Sequence, residues 1–422
     1  GRWSREERRL LGLLVLFGWF KMFKPSEPFL TPLLHHKGFS DKELDQEIYP
    51  VSIYSEAAAL LVVLAVADAV RYKPVLITEG ISFLITRVLL IFGGTVLQMK
   101  LMQVAYGTGT ACQVAYLSSV FFYFAEDKFQ TATSLLRAAH VAGECAQGVV
   151  GQLLISEGHV TYDLLLWVSF GSICVSLLVS ILIPSPMVSQ RIQKAQLWQS
   201  LKTGCRSTGL LCELLAWTLA TLADTMVENY VSTFWESLSP TDSRASNGWV
   251  VACASFFGML GALVPLRMGL ERGTPRVILT SLALLTSALA LAISSQLSDL
   301  LWAQSMYVGY RAFYSLGLTL LSASIGFSVQ SVLADPNQPL YSFVFGACTL
   351  LALAFASAIG APVTHQLSLR SQEHLSLPPS SPAADTVFLR NHRTRCCRQR
   401  VQVHGSSSAL SLSHLIKHQQ PS

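Results

Sequence analysis

The chain has 422 residues, of which 51% are hydrophobic and 13% charged, with a formal net charge of +5 and a mean hydropathy of +0.45. A soluble domain carries roughly 25% charged residues, so this composition excludes an ordinary soluble globular protein. The small positive balance has no basic–aromatic pattern beside it, which argues against a nucleic-acid partner.

Eleven apolar stretches follow one another near 10–34, 48–70, 74–97, 101–124, 132–156, 160–184, 208–235, 247–268, 276–295, 299–328 and 341–364. Hydrocarbon offers backbone groups no partner outside the segment, so runs of about 20 apolar residues read as membrane-spanning helices. None shows the two-residue alternation of a membrane β-barrel. The predicted fold class is therefore an all-α polytopic membrane protein.

Short loops rich in Lys and Arg stay cytoplasmic. The start carries Arg2, Arg5, Arg8 and Arg9, which places the N-terminus inside. The acidic loop at 35–47 is then outside, and Arg71 and Lys73 are inside again. The loop 185–207 carries Arg191, Lys194, Lys202 and Arg206, and the loop near 267–276 carries Arg267, Arg272 and Arg276; both are predicted to be cytoplasmic. The tail, 366–422, is rich in Ser, Pro, His and Arg and reads as disordered. Eleven spans would put this basic tail outside, against its charge. That conflict, and Gly1 in place of Met, lead to the expectation of a partial or alternatively spliced product.

Six cysteines (Cys112, Cys145, Cys174, Cys212, Cys253 and Cys348) fall in the spans, where Cys serves as a small apolar residue. Cys396-Cys397 is a candidate acylation site. The sequence holds no Walker loop, HExxH, GxSxG, CxxC or zinc spacing. ATP-driven transport within the chain and enzymatic chemistry are thus not expected, nor is a cofactor or metal.

An ionisable group inside a span is costly and points to a cavity or a partner. Glu27 lies between Pro25 and Pro28, which break the helix; it lines a cavity or marks the outer interface. Arg137, His140 and Glu144 share one helix face, either as a cavity wall or as an internal ion-pair stripe. Asp224 and Glu228 stand one turn apart beside Asn229 and form a candidate cation or proton site. Arg311 sits among Tyr307, Tyr310, Phe313 and Tyr314. It suits an anionic or aromatic ligand, or else pairs with an acid on another span, Glu27 or Asp224. Arg87 and Glu56 are weaker candidates. Gln113 and Tyr116 share a face, while Gly107 and Gly109 are read as packing residues.

Phe17-Gly18-Trp19-Phe20 with Lys24-Pro25-Ser26-Glu27-Pro28-Phe29-Leu30, and Asp68-Ala69-Val70-Arg71-Tyr72-Lys73-Pro74-Val75 with Glu79-Gly80-Ile81-Ser82-Phe83, are specific stretches. Shorter ones follow in order: Val114-Ala115-Tyr116, Arg137, Gly151-Gln152-Leu153-Leu154, Asn229-Tyr230-Val231, Asn247-Gly248 and Val344-Phe345-Gly346. Together they resemble the family of the reduced folate carrier and the thiamine transporters, with wording closer to the thiamine branch. The resemblance implies a major facilitator-type transporter of two bundles around a central cavity, working by alternating access. The N-terminal six-helix bundle would be 1–184, the cytoplasmic joint 185–207, and the C-terminal bundle 208–365, with five spans where the family has six.

The same resemblance implies a secondary carrier of a water-soluble vitamin at the plasma membrane, multi-pass in the lipid bilayer, with a coupling proton or organic ion. Its implied substrate-binding residues are Glu27, Gln113, Tyr116, Arg137, Glu144, Asn229 and Arg311. Several positions depart from the thiamine pattern: Ser52 stands for a stacking Trp, Gln113 for Glu, and Val251 for an acid. Ala356 stands for the folate branch's Lys, while Arg311 matches that branch's basic residue. Glu144 replaces a Tyr and restores an acid. The expected substrate is a thiamine-like organic cation. The alternatives are a reduced folate anion or a truncated, non-transporting sensor or regulatory product.

Overall fold

A computed structural model of the chain describes residues 3–70, 72–156, 162–184, 207–238, 240–268, 274–332 and 341–376. The described residues hold eleven helices of 18 residues or more. These are α1 (Arg5–Met22), α2 (Tyr49–Val70), α3 (Lys73–Phe92), α4 (Val96–Tyr123), α5 (Phe129–Ser156), α6 (Tyr162–Leu182), α7 (Thr208–Leu238), α8 (Pro240–Met268), α9 (Thr274–Gln296), α10 (Leu300–Val332) and α11 (Tyr341–Ser376). Each meets one of the eleven apolar stretches. Eight of the helices are long and apolar enough to cross a membrane. The other three, α1, α4 and α5, have spanning length but carry charges or many small polar residues.

The chain divides into two compact units, Gly1–Ala358 and Ile359–Ser422. The first holds all of the geometry below. In the second, 359–376 are helical and 377–422 lie outside the described residues. Most of the predicted tail and nearly all of the predicted 185–207 loop lie outside them too, as do Arg71 and the centre of the 267–276 loop.

Local sequence explains the helix ends. Ser4 caps α1 and Glu7 reaches back to it, forming a capping box. Thr95 and Gln98 do the same for α4. The run 10–34 is broken as expected: α1 stops at Met22, a tight turn holds Glu27–Phe29, and a short helix covers Leu30–His36. Pro25 and Pro28 supply no backbone donors to continue α1. Asp68 caps α11 from a distant helix, accepting from the backbone N–H of Ser342 at 3.1 Å and of Phe343 at 2.9 Å. The donors there carry the positive end of the helix dipole.

α1 packs on α5 and α6, α2 on α4, and α3 on α4 and α6. On the other side α10 packs against α7, α8 and α9, and α8 lies along α5. Large apolar side chains point away from the protein, among them Leu61, Leu178, Leu182, Leu285, Leu289 and Leu301. In water such a surface would drive aggregation; against lipid it is matched. Gly107 lets α4 close on α2, since a Cβ there would collide with the Ser55 hydroxyl and the Ser52 carbonyl. At Gly109 a Cβ would meet the Phe83 ring at 2.8 Å. Both glycines are packing residues, as expected.

Candidate substrate site

Two charged clusters sit in the membrane-spanning region. The first is built where α1 breaks. Glu27 pairs with Arg87 Nη2 of α3, and Lys24 Nζ lies 3.6 Å from its other oxygen. Arg87 also donates through Nη1 to Ser26 Oγ at 3.1 Å. Arg87 is 1% exposed and Glu27 22%. The Lys24 ammonium lies 5.0 Å from the Phe83 ring and 5.6 Å from the Tyr106 ring. Glu27 therefore meets two cations of its own chain.

Beside it, buried behind α1, Lys21 Nζ donates to Glu79 Oε1 at 2.6 Å. Neither side chain is more than 1% exposed. The ammonium also stands 4.0 Å from the centre of the Tyr116 ring. Tyr116 itself is fully buried, and its hydroxyl donates to the Leu14 carbonyl at 3.3 Å. The structure thus places Tyr116 in the packing between α1, α4 and α5. Sequence reading passed over the Lys21–Glu79 pair, although its signal was present: two ionisable residues in different apolar runs, each needing a partner.

The second cluster joins five helices. Arg311 of α10 donates through Nη2 to Glu144 Oε2 of α5 at 3.0 Å, and through Nη1 to Asp224 Oδ1 of α7 at 3.1 Å. Glu228 Oε1, one turn further along α7, lies 3.8 Å from the same guanidinium. Tyr310 donates its hydroxyl to Asp224 at 2.9 Å. Ser255 of α8 donates to Glu144 at 3.5 Å. His140 Nε2 lies 3.5 Å from Glu144 Oε1 and 3.3 Å from Gln113 Nε2. Glu144, Asp224 and Arg311 are all under 20% exposed, whereas the Glu228 side chain is 62% exposed.

Of the two acids proposed as partners of Arg311, the structure pairs it with Asp224 and not with Glu27, and adds Glu144. Of the ion-pair stripe that is one alternative for Arg137, His140 and Glu144, only His140–Glu144 is found among the described residues. Glu144 turns to Arg311 and His140, and among the described residues Arg137 forms no ion pair. Its guanidinium carbon lies 5.9 Å from the Tyr314 ring centre. The side chain of Asn229 lies outside the described residues. Of the predicted residues, then, Gln113, Glu144 and Arg311 come together with Asp224 and Glu228. Glu27 belongs to its own cluster.

Chemically, the second cluster has three carboxylates around one guanidinium. One Arg can match one carboxylate in a low-dielectric site, so carboxylates outnumber the cation there. Glu228 carries that surplus where it can be reached.

A family model described as the reduced folate carrier matches residues 7–196 and 186–376, nearly the whole described chain. The chain belongs to the reduced folate carrier family. Human thiamine transporter 2 is 30% identical over 427 residues, covering 85% of this chain and 84% of that protein. Folate transporter 1 of Caenorhabditis elegans is 28% identical, covering 83% and 84%. The mouse reduced folate transporter is 28% identical, covering 86% and 77%. Among solved structures, the human organic anion transporter MFSD10 superposes with a TM-score of 0.60 at 13% identity, over 84% of this chain and 95% of that one. A Major Facilitator Superfamily transporter, FucP, in the outward conformation gives 0.56 at 16% identity, over 84% and 99%. These structures establish the fold. The chain is a multi-pass membrane protein of transporter family and fold, with the lipid bilayer as its surroundings.

Proposed function

We propose that this family member is a secondary carrier of a water-soluble vitamin of the thiamine-like, organic-cation class. The observation that carries the reading is the surplus of carboxylate at Glu144, Asp224 and Glu228 around the single Arg311. A reduced folate is an anion and needs free cationic groups. Within the Arg311 cluster none is free: Arg311 already holds two acids, and Ala356 supplies no charge. The relative with the highest identity among those compared above carries thiamine in its name, which agrees with this choice. Glu228 is the proposed seat of the cation, with Asp224, held by the Tyr310 hydroxyl, behind it.

The proposed cycle is alternating access between an N-terminal bundle, 1–184, and a C-terminal bundle from 208, joined by 185–207, with a coupling proton or organic ion. The proposed location is the plasma membrane with the N-terminus cytoplasmic. Radiolabelled uptake into vesicles bearing the chain tests the function: thiamine should accumulate above control vesicles, and reduced folates should not. Orientation is tested separately with single cysteines placed at 190 and 271. Both are expected to resist an impermeant thiol reagent in intact cells and to react once the cells are opened. Labelling from outside would invert the topology.

A further inference from the structure

Among the described residues Arg137 meets no carboxylate, and a void lies beside it. The void, about 10 Å³, lies between α4, α5, α7, α10 and α11. Its apolar wall includes Phe121, Leu318 and Phe345. Its polar wall is Thr133 and Arg137 of α5, Trp217 of α7 and Ser322 of α10. Ser322 already donates to the Thr319 carbonyl at 3.1 Å. The other three offer a buried polar atom with no hydrogen-bond partner: Thr133 Oγ1, Arg137 Nε and Trp217 Nε1. Thr133 is 7% exposed and Trp217 5%. The Trp217 indole is held edge-on to Phe345, with ring centres 4.8 Å apart.

Orphaned buried donors are uncommon in folded proteins. The indole and guanidinium N–H groups can only donate, and a Thr hydroxyl can donate as well. An acceptor is therefore required. A space of this size takes one water or one monoatomic ion. A sulfate or a phosphate is larger and fits it less well. Water could accept from the N–H groups, but it brings no charge to the half-buried Arg137, which meets no carboxylate among the described residues. A monoatomic anion satisfies both the donors and the charge.

We propose that this void is a halide site, occupied by chloride and held by Arg137, Thr133 and Trp217. The site is separate from the Arg311 cluster, and the proposal stands whatever the transported substrate is. Chloride there ties α5 to α7, so it stabilises the arrangement in which these helices meet.

The test uses the purified full chain in detergent. Its Tm is measured in sodium gluconate while sodium chloride, bromide or sulfate is titrated in at constant ionic strength. Chloride and bromide are expected to raise Tm saturably by several degrees, as a ligand that binds only the folded state does; sulfate should not. In Trp217→Phe, which keeps the ring and loses the N–H, the midpoint of the chloride response should move several-fold to higher concentration. In Thr133→Val it should move the same way, and in Arg137→Gln the response should vanish. Crystals grown in bromide should show an anomalous peak at the void. Equal Tm in chloride and gluconate for the unmodified chain would mean that water fills the void, and would overturn the proposal. A halide response that survives in Arg137→Gln, or an anomalous peak elsewhere only, would overturn it as well.

Discussion

Glu27→Gln is expected to abolish uptake, and to do so largely through loss of folded protein. Arg87 is 1% exposed, and its guanidinium is shared between Glu27 and the Ser26 hydroxyl. Removing the carboxylate leaves that guanidinium charged and almost unpartnered in the membrane interior. Breaking a buried ion pair from one side costs about 3–5 kcal/mol, a large part of the ~5–15 kcal/mol that holds a typical protein folded. Removing both charges is far milder, because no orphan remains. The double variant Glu27→Gln with Arg87→Gln should therefore recover surface expression to near the unmodified level. Surface biotinylation beside uptake separates the effects. Recovery of both would show that Glu27 serves the fold. Recovery of surface protein without uptake would show that its carboxylate also meets the substrate, the role the family resemblance implies. Normal surface expression of the single variant would refute the pairing argument.

Glu228→Gln is expected to leave the protein at the membrane and to weaken substrate affinity. Glu228 is the most exposed carboxylate of the Arg311 cluster, and Arg311 already holds Glu144 and Asp224 at 3.0 and 3.1 Å. Its loss orphans no buried cation. It does remove the carboxylate proposed to meet an incoming organic cation. A hydrogen bond or contact to a charged group contributes about 1.5–3 kcal/mol, so KM should rise on the order of 10- to 100-fold. Asp224→Asn differs in kind. Asp224 accepts from Arg311 and Tyr310 together, so that change should lower both expression and transport. An unchanged KM in Glu228→Gln would remove Glu228 from the site.

The contrast between these two acids marks what the sequence could convey. Helix positions were legible because hydrocarbon forces long apolar runs, and Pro25 and Pro28 announced the break in α1. The ends of α4 were less so: the run 101–124 begins late because Gln98 and Lys100 interrupt the hydropathy, whereas the Thr95 cap starts the helix at Val96. The apolar stretch 341–364 understated α11, which the structure carries to Ser376 through polar residues. The candidate charges were visible as a set, since ionisable residues in spans are few. Their partners were not. Glu144 and Arg311 are 167 residues apart and meet only because α5 and α10 pack together. The same-helix pairing of Arg137 with Glu144, natural from spacing, lost to that tertiary contact. Lys21–Glu79 escaped notice for a related reason: the opposite charge that each residue meets lies on a different helix, 58 residues away in the chain.

Substrate charge is the point on which the proposed function stands, and competition in proteoliposomes tests it most directly. Purified chain is reconstituted, uptake of labelled thiamine is measured, and excess unlabelled thiamine or a methotrexate-like folate is added. Strong block by thiamine with little effect of the folate is the expected result, because the accessible group of the cluster is the Glu228 carboxyl. Block by the folate but not by thiamine would contradict the cation reading. It would return Arg311 to the role of an anion-binding residue.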